Sequence, residues 1–169
     1  MELIEKIMYS RRGCAVKRFH TVEVLVPETV GHHSANLALL IHCIMEGQES
    51  KQLLLGAMLH DLAEQTTGDI PAPAKKNNEA LSRGVFELER ADYEQFGSIF
   101  NMGVGDIVLL RTIDGLDLAL KCLAELELGN RSVIPMLDKV MSYVEEGMQG
   151  LNEFDIPVQA MSNLLIPGS

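Results

Sequence analysis

Positive charge is scarce in this sequence: 14 Lys and Arg stand against 24 Asp and Glu, a net charge of -10. A broad basic surface is therefore absent, which excludes a duplex nucleic acid or an anionic membrane as partner on electrostatic grounds. A small anion remains compatible, because a few converging Arg and Lys side chains hold phosphate whatever the overall charge. Cysteine is scarce too. Cys14, Cys43 and Cys122 are odd in number and widely spaced, so they are no disulfide framework and are expected to be core thiols. Long apolar runs are missing: the opening MELIEKIMYSRR carries acids early, unlike a signal peptide, and no segment reaches the ~18 apolar residues of a membrane span. Repeats, linkers and low-complexity tracts are also missing, so the 169 residues, 47% of them hydrophobic, are expected to form one domain.

What remains is helical periodicity, with alternation of the strand type confined to VEVLV at Val22 to Val26. The expected fold class is all-α, a single bundle of about six to seven helices. Helices are expected near residues 2–12, 29–47, 50–68, 79–96, 105–128 and 133–149, and the tail around Pro157 allows a short last one. Ser50 is a candidate N-cap, Pro71 and Pro73 are expected to force an extended or turning segment, and Gly129 suits a left-handed C-terminal cap.

Several polar residues conflict with this apolar patterning. His33 shares a stripe with Leu37, Ile41 and Ile44 and so points to the core, as a hydrogen-bonded core histidine or as a ligand. His42 is turned about 180° from it and belongs to another surface. His60 and Asp61 follow the apolar run Leu53, Leu54, Ala57 and Met58, and Glu64 returns to the same region one turn later. Asp114 interrupts the four-residue ladder Leu110, Leu118, Cys122. Burying a lone carboxylate is costly unless it is paired, so Asp114 requires either a metal ion or a salt bridge to Arg111 or Lys121. Asp117 is expected to be solvated or to stand behind the ligands. Two His and two Asp from three helices make a mixed nitrogen and oxygen set suited to a borderline divalent ion, with Co, Mn, Zn, Ni, Fe and Mg not distinguished.

The order His33, then His60-Asp61, then Asp114 resembles the H…HD…D signature of the HD-domain phosphohydrolases, an all-helical superfamily. KRFHTVEVLVPETVGHHS resembles the stretch before the first ligand in bacterial 5′-deoxynucleotidases, TGDIPAPAK the block after their HD pair, and LKCLAELELGN the sequence after their last aspartate. These blocks cover most of residues 17–131. Compactness and tight motif spacing resemble the phage members that split dATP into deoxyadenosine and triphosphate.

The resemblance implies that His33, His60, Asp61 and Asp114 bind the metal. It implies general acid/base work for Glu64 and positioning of water or leaving group for Asp69. Arg18, Lys75 and Arg111 match phosphate contacts, and Phe19, His20, Thr21 and Pro73 flank them as candidate walls of a base pocket. Phe19 stands where relatives often have tryptophan, and His32 where they frequently have an acid. The implied reaction is hydrolysis of the 5′ phosphoester of a deoxynucleotide. Its leading form is dNTP to deoxynucleoside plus triphosphate; the alternative is a deoxynucleoside 5′-monophosphatase. A silent, nucleotide-binding module of the same fold is the rival from another class. The expected partner is a small-molecule deoxynucleotide, in the cytoplasm of a bacterial or phage-infected cell. Met136, Met141, Met148 and Met161 are read as core residues that also allow a homo-oligomer face.

Overall fold

Apolar stripes at helical spacing become helices throughout the computed structural model, which describes residues 2–96, 102–154, 156 and 158–165. In chain order these are α1 Leu3–Cys14, α2 Val30–Ile44, α3 Lys51–Leu59, α4 Glu64–Thr67, α5 Ala72–Asn77, α6 Glu79–Glu94, α7 Val104–Glu127, α8 Ile134–Leu151 and α9 Val158–Leu164. Short 3-10 turns at Arg131–Val133 and Asn152–Phe154 flank α8. Among the described residues VEVLV forms no strand; the only β pairing there is the isolated bridge between Lys17 and Thr29. Pro157 lies outside the described residues.

The caps follow from chemistry. Thr29 accepts the His32 N–H at the start of α2, and Ser50 accepts the Leu53 N–H at 3.0 Å at the start of α3. Gly129, at φ +91°, stops α7 in the left-handed region. The core joins Leu37, Ile41 and Ile44 of α2 to Leu53 and Ala57 of α3, to Leu109, Ile113 and Leu116 of α7 and to Val140 and Val144 of α8. Met161 is fully buried and Met141 and Met148 pack against this core. Helices α7 and α8 lie close because Gly115 faces Tyr143 and Val144, where a Cβ would come within 2.8 and 3.0 Å.

Three expectations need correction. The helix expected over 50–68 breaks after Leu59: the Leu62, Glu64, Gln65 and Thr66 N–H groups bond three residues back, which tightens residues 60–63 into turns before α4 begins. Gly13 of α1 touches this turn so closely that a Cβ would meet Leu62 Cδ1 at 2.5 Å, so α1 holds it in place. Pro71 and Pro73 do not keep their segment extended. Pro71 precedes α5 and Pro73 sits in its first turn, where a missing N–H costs nothing. Cys122 is buried as expected, but Cys14 and Cys43 are exposed, Cys14 at the end of α1 and Cys43 beside the exposed Leu39. Of the described residues, none lies in a helix long and apolar enough to cross a membrane.

Candidate active site

Helix α2 carries His33 on its buried face, the turn after α3 carries His60 and Asp61, and α7 carries Asp114. Their donor atoms meet. His33 Nε2 lies 3.2 Å from His60 Nε2, 3.1 Å from Asp114 Oδ1 and 3.6 Å from Asp61 Oδ2, and His60 Nε2 lies 3.3 Å from Asp61 Oδ2. Ligands held at ~2.1 Å from one divalent ion stand about 3.0–3.5 Å apart. The spacing therefore fits an ion among these four side chains.

The other ring nitrogens sharpen this fit. His33 Nδ1 faces Asp117 Oδ2 at 2.7 Å and His60 Nδ1 faces the Ala57 carbonyl at 3.0 Å. With each Nδ1–H donated outward, both Nε2 lone pairs aim at the same point, an arrangement that needs a cation or a proton between them. A proton can take that place when no ion is bound. Burial lowers the His60 pKa, but Asp61 and Asp114 outweigh it and push it up to about 9. Burial likewise opposes ionised Asp61, yet His60, Arg18 and His33 hold its carboxyl well below the usual carboxylate range.

Asp117 is buried, not solvated, and orients His33 from behind. The Asp114 side chain is 44% exposed and lines a cavity; it makes no salt bridge to Arg111 or Lys121, and Lys121 pairs with Glu125 at 2.9 Å instead. Arg18 Nη1 reaches Asp61 Oδ2 at 2.6 Å, and its Nε lies 3.3 Å from Glu28. Glu64 is buried with Oε2 unpartnered; burial, then Asp61 and Asp69, push its pKa up to about 8. Asp69 accepts the Phe19 N–H at 3.3 Å and lies 3.7 Å from His20.

A cavity of about 690 Å³ opens beside these side chains, lined by His60, Asp61, Asp114, Lys75, Arg111, Phe86 and Met102 among others. Lys75 and Arg111 are thus on the wall of this cavity. Phe19, His20, Thr21 and Pro73 do not line this cavity. His20, Thr21 and Pro73 are exposed, while Phe19 is half-buried under the Arg18 guanidinium, 5.6 Å from its ring centre. Lys17 and Lys76 are exposed and lie off the cavity wall, and His42 is exposed and bonded to Glu49 at 2.7 Å.

Sequence reasoning missed Glu28 and the α6 wall. Phe86, Glu89, Arg90 and Tyr93 fall at spacings of three, one and three, a single helix face that was there to be read, but their mixed charges suggested solvent. Glu28 precedes a helix cap in an aperiodic segment and offered no such signal.

This chain, an all-helical bundle that brings H…HD…D donors together beside an arginine, has the fold of the HD phosphohydrolases. Within that class it belongs to the YfbR-like 5′-deoxynucleotidase family, whose profile matches residues 7–161. It is 26% identical over 138 residues to a 5′-deoxynucleotidase of Vibrio parahaemolyticus, covering 68% of this chain and 71% of that protein. With a 5′-deoxynucleotidase of Photorhabdus laumondii it shares 26% over 153 residues, covering 75% and 78%. Among solved structures, the PH0347 protein from Pyrococcus horikoshii superposes with a TM-score of 0.74 at 22% identity, over 96% of this chain and 98% of that one. The cyanophage S-2L HD phosphohydrolase DatZ, bound to dA and one catalytic Zn2+ ion, superposes with a TM-score of 0.65 at 20% identity, over 98% and 92%. These two likenesses establish the fold.

Proposed function

We propose that the protein is a deoxynucleoside 5′-monophosphatase, releasing phosphate from a deoxynucleotide at the site of His33, His60, Asp61 and Asp114. The observation that carries this is the convergence of two imidazole lone pairs and two carboxylates on one point, with Arg18 beside them. A divalent ion held there supplies Lewis-acid chemistry, acidifying water and withdrawing charge from a phosphoryl oxygen. Glu64, its carboxyl already pushed toward neutrality, moves a proton at its free Oε2, and Asp69 positions water or the departing 5′ oxygen. Arg18, Lys75 and Arg111 offset phosphate charge. Phe19, His20, Thr21 and Pro73, which lie off the cavity wall, remain the proposed base contacts, Phe19 through its ring face.

The expected triphosphate-releasing activity is the less supported form. The named relatives are 5′-deoxynucleotidases. Few further cations stand ready for a longer polyphosphate: Lys17 and Lys76 lie off the cavity, and Arg90, on its wall, pairs with Glu87 at 3.0 Å and Glu94 at 3.9 Å. Incubation with matched deoxynucleoside mono- and triphosphates, with products separated by ion exchange, tests the assignment. Inorganic phosphate and free deoxynucleoside from the monophosphate are expected; triphosphate from the other substrate would reverse the choice. A protein that binds no metal and turns over neither would be a silent module.

A further inference from the structure

Besides the Arg18–Asp61 bond, the segment of residues 17–29 is tied down at the C-terminal end of α7. Glu125, fully buried there, accepts the Leu25 N–H at 2.7 Å and the Val26 N–H at 2.9 Å, and also takes Lys121 Nζ at 2.9 Å and Asn130 Nδ2 at 2.8 Å. Lys121 Nζ bonds the Val26 carbonyl, and Asn130 and Ser132 both donate to the Glu23 carbonyl. Burial alone would raise the Glu125 pKa, but Asn130, the Leu25 and Val26 amides and Lys121 bring it down to about 2, so the anchor is ionised. At the segment's base, Arg18 N–H bonds the Glu28 carbonyl at 3.0 Å and Val30 N–H the Val16 carbonyl at 2.9 Å.

Between these ties Phe19 has φ +61°, in the left-handed region that a bulky side chain avoids. Such a conformation persists only where its surroundings over-determine it. Here the constraints are Asp69, which accepts the Phe19 N–H, and the anchored limb at 23–26. We infer that Glu125 is a positioning residue for substrate: by pinning residues 23–26 to α7 it holds Arg18 beside Asp61 and Phe19 in its strained conformation.

This inference rests on the proposed deoxynucleotidase activity for its kinetic readout, but not for its structural one. Glu125→Gln is isosteric, removes the charge and turns an NH2 toward one of the two backbone donors. The variant should keep its metal content and a kcat within about threefold of the parent, while KM for a deoxynucleoside monophosphate rises about tenfold, the pattern of lost ground-state binding. Trypsin should cut after Lys17 and Arg18 faster in the variant, a measurement independent of any activity. Ser132→Ala, which removes one hold on Glu23 at an exposed site, should show the same two changes in smaller degree, and it decides the matter if Glu125→Gln does not fold. Unchanged KM and unchanged trypsin rate overturn the inference. So does a joint loss of kcat and metal, which marks Glu125 as merely structural. If the parent hydrolyses no deoxynucleotide, the proposed function fails while the trypsin result still judges the anchor.

Discussion

His33 shows how much of this site depends on a single ring. One nitrogen faces the other ligands, the other faces Asp117 at 2.7 Å, and the ring itself is wholly buried. Replacing such a carboxylate partner typically costs 10–100-fold in metal affinity, so Asp117→Asn should weaken binding by about that factor, read by chelator competition. Asp61→Asn removes a ligand outright and should abolish turnover together with metal content; full activity with metal retained would refute the ligand assignment. Protonation supplies a separate check. Because Asp61 and Asp114 push the His60 pKa up from 6.5 to about 9, a metal ion bound there would have to displace a proton. Calorimetry of metal uptake at pH 7 in buffers of different ionisation enthalpy should reveal net proton release. The sign for stability follows: a raised pKa contributes fully below 6.5 and is lost as pH rises through about 9, so the metal-free protein should lose thermal stability across that interval. At this scale the four converging side chains were legible because each is a polar residue in or beside an apolar stripe. Glu28 was not, since nothing periodic surrounds it.

Helices were legible wherever one face is apolar over several turns, as in α2 and α7, whose ends agree with the expected ones to within three residues. The break after Leu59 was not. Apolar periodicity carries through Leu62 and Ala63, which are buried, while the turn tightened by three-residue bonds packs against α1 at Gly13. Tertiary contact of that kind leaves no local signature. The same closeness makes helix pairs brittle. Gly115→Ala would place a methyl within 2.8 Å of Tyr143 and 3.0 Å of Val144, wedging α7 from α8. Overpacking costs about 1–3 kcal/mol, a fall of roughly 3–10 °C in Tm for a domain of this size, with α7 and hence Asp114 displaced. Ser50→Ala removes a cap and its bond to Asp106 at 3.0 Å, and should cost about 1 kcal/mol by chemical denaturation with metal binding intact.

The molecule as a whole is a scaffold of core helices α2, α3, α7 and α8 with a site at the rim, where α2, α7 and the turn after α3 meet. Its acidic charge does not prevent an anion from binding, because Arg18, Lys75 and Arg111 collect at that one rim. The most direct test titrates metal-stripped protein with Mn, Co, Zn or Mg while both bound ion and hydrolysis of a deoxynucleoside monophosphate are followed. The account predicts no turnover from the stripped protein and phosphate release that rises in proportion to one ion per chain. Turnover that survives stripping, or full occupancy without phosphate release under any of the ions, would contradict it.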